Sequence, residues 1–144
     1  MTTALLFLVY GSYFGLVYSK NKINTVIFSI VFILLSALLR FSFPFDGFKD
    51  YFGYSNFLIN FDSNSVIWLI EPYRYILAGV SLLISDSALG AIGIWYSYQY
   101  VVSTVFFVWL ATRRDLSIYS VMLIFAYLYP AVTFVWLRFG IVFM

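Results

Sequence analysis

A chain of 144 residues that is 64% hydrophobic and only 10% charged, with mean hydropathy +0.98, has too little polar surface to cover a core in water. The absence of Cys and His excludes thiol nucleophiles, imidazole acid–base chemistry, disulfides and the usual zinc sites. A net charge of +2, scattered along the chain, leaves no footprint for nucleic acid.

The first apolar segment, residues 3–19, has no basic region before it and is bulky throughout, so it reads as a retained helix rather than a cleaved signal. Residues 24–39, 88–112 and 116–135 are three further segments of comparable character. Each approaches the ~20 residues a helix needs to cross ~30 Å of hydrocarbon. The runs are continuous rather than alternating, which argues against a β-barrel. Pro130, inside the fourth segment, predicts a kink.

Between the second and third segments lies a long polar stretch, residues 40–87, with five of the six acidic residues: Asp46, Asp50, Asp62, Glu71 and Asp86. Residues 72–85 are apolar but short for a span. Their apolar side chains fall at Tyr73, Ile76, Leu77, Val80, Leu83 and Ile84, the stripe of an amphipathic helix lying in a membrane interface. A similar stripe over residues 47–61, through Phe48, Tyr51, Phe52, Leu58 and Ile59, predicts a second interfacial helix, and Asp62-Ser63-Asn64-Ser65 a turn between the two.

Short cytoplasmic loops carry excess Lys and Arg. Lys20 and Lys22 follow the first segment, and Arg113 and Arg114 follow the third. The two pairs share a side if residues 72–85 do not cross, and that topology is preferred. It puts residues 40–87 and Arg138 at the outer face. The fold expected is therefore all-α: a polytopic membrane helical bundle of about four to five transmembrane helices, plus one or two interfacial amphipathic helices in the long outer loop. Residues 1–144 form a single transmembrane domain in this reading. Residues 135–144 begin an apolar run with no polar cap, which predicts the N-terminal part of a larger polytopic protein.

Arg138 interrupts the apolar run Phe134-Val-Trp-Leu-Arg-Phe-Gly-Ile-Val, where a charge is expensive and marks a functional candidate. The bland alternative is a snorkelling helix-end Arg. Arg40 reads on its own as a boundary anchor, and Arg74 as a lipid-phosphate contact. Three Arg on one membrane face suit a pyrophosphate, because guanidinium forks bind phosphate oxygens bidentately and never lose their charge. Asp50 and Glu71 are candidate carboxylates that would accept a proton from a sugar hydroxyl or clamp a sugar, against a capping role for Glu71 before Pro72. Gly11 and Gly15 form a small-xxx-small motif for close helix packing, within or between chains. No metal-ligand cluster and no cofactor signature is present.

One ordered set of features remains: Leu39-Arg40 ending a helix, Asp50-Tyr51-Phe52-Gly53-Tyr54, Glu71-Pro72 opening a helix, and Trp136-Leu137-Arg138-Phe139-Gly140. This order resembles the N-terminal part of EpsG-like and Wzy-type polysaccharide polymerases, over nearly the whole chain. Phe139 stands where the family often has Gln, and Asp46 competes with Asp50 for the family's position after the helix-ending Arg. The resemblance implies a glycosyltransferase in the bacterial cytoplasmic membrane with its site on the outer face. Its substrate would be polyprenyl-pyrophosphate-linked oligosaccharide repeat units, and its partners the lipid bilayer and other polysaccharide-assembly proteins. Arg138 and Arg40 would bind pyrophosphate or glycan, with Arg74, Tyr51 and Tyr54 also at the substrate. Asp50, or Asp46 in its place, and Glu71 would engage the acceptor. The alternative is a non-enzymatic membrane protein, either a transporter subunit or a modulator of a polymerase.

Overall fold

The computed structural model describes residues 2–42, 51–61 and 72–134, and among these the chain is all-α with no strand. The helices are α1 (Thr2–Tyr18), α2 (Lys22–Phe41), α3 (Tyr51–Ile59), α4 (Pro72–Ile84), α5 (Ala88–Thr112) and α6 (Ile118–Phe134). Two of them, α2 with 20 residues and α5 with 25, are long and apolar enough to cross a membrane. The chain packs as two compact units: residues 1–44 with 100–134, and residues 45–99 with 135–144.

Local chemistry sets the helix ends in the first unit. The α1 ladder closes with Ser19 N–H on the Leu16 carbonyl, 3.3 Å. Asn21 then caps α2, its side chain accepting from Ile23 N–H at 3.0 Å. At the far end of α2, Ser42 N–H bonds the Leu38 carbonyl at 3.1 Å and its hydroxyl bonds the Leu39 carbonyl at 2.8 Å. Pro44 follows in sequence and cannot continue a helix. α5 stops at Thr112, with Arg113 N–H on the Leu110 carbonyl at 3.2 Å.

The core of this unit is aromatic, with one ring from each of four helices. Tyr13 of α1 lies flat on Phe125 of α6, with centroids 3.6 Å apart and ring planes at 10°. Phe32 of α2 and Phe107 of α5 close on the same pair at centroid distances of 5.3 and 6.2 Å from Tyr13. All four rings are fully buried. Such pairs are each worth about 0.5–1.5 kcal/mol beyond their area. α1 packs extensively on α2, and Gly15 leaves room there for the Phe28 ring: a Cβ would stand 2.5 Å from it. A Cβ on Gly11 would meet nothing within 4 Å. The small-xxx-small motif is thus divided, one glycine serving the fold and the other facing outward.

α6 runs through Pro130, where the sequence predicted a kink. Proline lacks an N–H, so the Ala126 carbonyl one turn earlier loses its helical donor. Tyr10 Oη on α1 donates to that carbonyl at 3.4 Å.

In the second unit a helix forms in each of the two stretches predicted as amphipathic. Of residues 47–61, 47–50 lie outside the described residues and α3 covers Tyr51–Ile59, its stripe divided, with Leu58 buried and Ile59 exposed. α4 begins at Pro72, the residue type suited to a first helical position. Its 13 residues span roughly 20 Å, well short of the ~30 Å hydrocarbon layer. Ala78 and Ser81 are buried, while Ile76, Val80, Leu83 and Ile84 face out, Leu83 at 87% exposure. Ser87 opens α5, its hydroxyl accepting from Gly90 N–H at 3.0 Å. A Cβ on Gly90 would fall 1.9 Å from Ser85 Oγ, so any larger residue here would force the Ser85 side chain to shift. The predicted turn at residues 62–65 lies outside the described residues.

Candidate functional site

The first unit has two chemically different ends. At one end the α1–α2 and α5–α6 turns meet. The Arg114 guanidinium donates to the Ser19 carbonyl and, at 3.4 Å, to the Val17 carbonyl. These carbonyls belong to the C-terminal turn of α1, where the helix dipole favours a cation. Arg113 stacks over Trp109, 5.0 Å from the ring centroid, and forks onto Asp115 at 2.6 and 2.5 Å. Hydrogen bonding to Arg113 holds the Asp115 carboxyl down at about 2, and the same pairing raises the Arg113 pKa. Both partners are substantially exposed, so the pair is screened. Lys20 and Lys22 are exposed at this same end.

At the other end, α2 turns one face inward: Phe32, Ser36, Leu39 and Arg40, spaced by helical periodicity, are its buried residues. Arg40 is only 4% exposed and has an interaction partner in the fold. The boundary-anchor reading requires a guanidinium reaching outward to water, whereas this one is withdrawn into the protein. One turn before it, Ser36 Oγ accepts from Tyr129 Oη of α6 at 3.0 Å, in a buried setting. That bond sets α6 against α2 just below Arg40 and carries the end of α6, Phe134, toward the Arg40 end.

The other predicted site residues are placed less completely. Asp46, Asp50, Glu71 and Arg138 lie outside the described residues. Tyr51 and Tyr54 fall three residues apart on α3, and Arg74 lies in the first turn of α4. Among the described residues, no group of three or more Asp, Glu, His or Cys stands close enough to hold a metal ion.

Sequence reasoning passed over three buried polar positions. Gln99 of α5 is 2% exposed and engaged in an interaction. It was detectable as an amide in the middle of a 25-residue apolar helix. Ser36 and Tyr129 were not detectable, because serine and tyrosine are unremarkable in such helices and only packing reveals the pair. No protein-family model matches this chain, and neither does any curated protein or solved structure.

Proposed function

We propose that this chain is a multi-pass membrane protein of the polysaccharide-polymerase class, or the N-terminal part of one, that binds a pyrophosphate-linked glycan lipid at the Arg40 end of its helices. The observation that carries this reading is the burial of Arg40. A guanidinium cannot shed its charge, so withdrawing one from water is costly unless anionic or hydrogen-bonding partners receive it. On α2 it stands one turn beyond Ser36, whose hydroxyl accepts from Tyr129 of α6.

The membrane part of the proposal has α1, α2, α5 and α6 crossing and α3 and α4 lying along one face. Large apolar side chains project outward all along these helices, among them Phe7, Leu34, Leu38, Val105 and Leu123, and water would not tolerate that belt. The meeting of both basic turns supports an even number of crossings for the whole of residues 43–87, and α4 is too short to supply one. By the positive-inside rule the basic end is cytoplasmic and the Arg40 end outer.

In this reading Arg40 and Arg138 stabilise charge on the leaving pyrophosphate, the kind of electrostatic term that commonly dominates catalysis. Asp50 or Asp46, together with Glu71, engages the sugar hydroxyl of the acceptor. The order of Leu39-Arg40, the Asp-Tyr-x-x-Tyr segment, Glu71-Pro72 and Leu137-Arg138 supports the polymerase class. The test is polysaccharide display in the host. Arg40→Ala, Arg40→Lys and Arg138→Ala should each abolish polymer while single repeat units remain on their lipid. Normal polymer in the Arg40 variants overturns the assignment. A reporter fused at Asp86 should be active only on the outer side.

A further inference from the structure

A groove of about 330 Å³ runs along α5, lined by Ile33 of α2 and by Tyr100, Val101, Thr104, Val105, Val108 and Trp109. Its lining exposes no polar surface. Tyr100 closes one end by donating its hydroxyl to the Ile33 carbonyl at 2.6 Å, with Phe41 against its ring. The other end opens at Trp109, under the Arg113–Asp115 pair.

Helical geometry gives this groove a definite reach. On α2, the one lining residue, Ile33, shares a helical stripe with Ser29, Val26 and the exposed cation Lys22 toward the basic end. Along α5 the lining runs from Tyr100 to Trp109, roughly 14 Å along the axis and about half the ~30 Å hydrocarbon thickness. A slot one leaflet deep, dry along its length and closed at mid-depth, fits one acyl chain. A transmembrane helix or a full-length polyprenyl chain would need it to continue past Tyr100. At the open end four cations, Lys20, Lys22, Arg113 and Arg114, stand against one carboxylate, Asp115. Arg113 is held by Asp115 and Arg114 by α1 carbonyls, while Lys20 and Lys22 make no ion pair among the described residues.

We infer that this groove is a binding site for an anionic phospholipid of the leaflet at the basic end, one acyl chain lying between Ile33 and Trp109 and its phosphate met by Lys22 with Lys20. The inference rests on the membrane part of the reading above and is independent of any glycosyltransferase activity.

The test uses the full chain in vesicles of phosphatidylcholine and phosphatidylglycerol with identical acyl chains, with bromine on the acyl chains of one lipid at a time. The quenching that disappears in Trp109→Phe belongs to Trp109. Brominated phosphatidylglycerol should quench it more strongly than brominated phosphatidylcholine at equal mole fraction, with an apparent preference of about fivefold per lysine engaged. Lys20→Gln with Lys22→Gln should remove the preference. Asp115→Asn, which frees the Arg113 guanidinium, should enlarge it. Equal quenching by the two lipids, or a preference that survives loss of both lysines, overturns the inference. Alkaline carbonate extraction of the same samples separates the two failures. A chain that stays in the membrane without lipid preference refutes only this site, and a chain released by carbonate refutes the membrane reading with it.

Discussion

Arg114, in the turn after α5, donates to the backbone carbonyl of Ser19, in the turn after α1, from 95 residues away in the chain. That contact ties two helical hairpins together at one end and makes the four basic residues of both turns neighbours. Arg114 thus combines a fork that fastens the two turns with a charge that the proposed topology uses to orient the chain.

Arg114→Lys should therefore divide these roles. Lysine keeps the charge and so the orientation, but a single ammonium does not reproduce a fork that reaches both Val17 and Ser19. A loss on the order of 1 kcal/mol is expected for a partly exposed charged hydrogen bond, with unchanged reporter topology. Thermal unfolding in detergent beside a topology reporter measures both.

The two glycines of α1 should respond oppositely. Gly15→Ala drives a methyl against the Phe28 ring and should destabilise by about 1–3 kcal/mol. Gly11→Ala meets open space and should cost nothing in the isolated chain. Equal losses at both sites would contradict the α1–α2 packing.

Ser36 and Tyr129 should behave as a coupled pair. Ser36→Ala or Tyr129→Phe alone removes one side of a buried hydroxyl–hydroxyl bond, at about 1–3 kcal/mol. The double variant should lose clearly less than the two single losses combined, which a double-mutant cycle reads directly.

The Asp115 carboxyl, held at about 2 by Arg113, predicts a pH signature far from neutrality. Its folded pKa lies below its ordinary 3.8, so its contribution is fully present above that value and disappears as pH falls through about 2. The difference in melting temperature between wild type and Asp115→Asn should be flat around neutral pH and shrink only in strong acid. Both groups are exposed, so added salt should shrink it too.

The helices are largely legible in the sequence. Residues 88–112 match α5 at both limits, and α1, α2 and α6 differ from their predicted segments by about two residues at most, because long apolar runs bounded by Ser, Asn, Lys and Arg leave few other ways to satisfy a backbone. Within the stretch 47–61 the described helix covers Tyr51–Ile59 and stops two residues before the predicted end, while residues 47–50 lie outside the described residues. The candidate site was less legible. Arg40 looked like an anchor, since a helix-ending arginine after an apolar run has the same sequence whether it points to water or inward.

The sequence by itself determined that this chain is helical, predominantly apolar, basic at two turns and without Cys or His. Those properties follow from residue type and periodicity, which are local. Only the tertiary structure decided that Arg114 reaches Ser19, that Gly15 rather than Gly11 receives a neighbouring ring, and that Arg40 is buried above the Ser36–Tyr129 bond. Each of these depends on which face of a helix meets which neighbour. Periodicity cannot choose that face when a helix such as α1 or α5 is apolar all round, and here the choice falls to the fit of rings and glycines in the core.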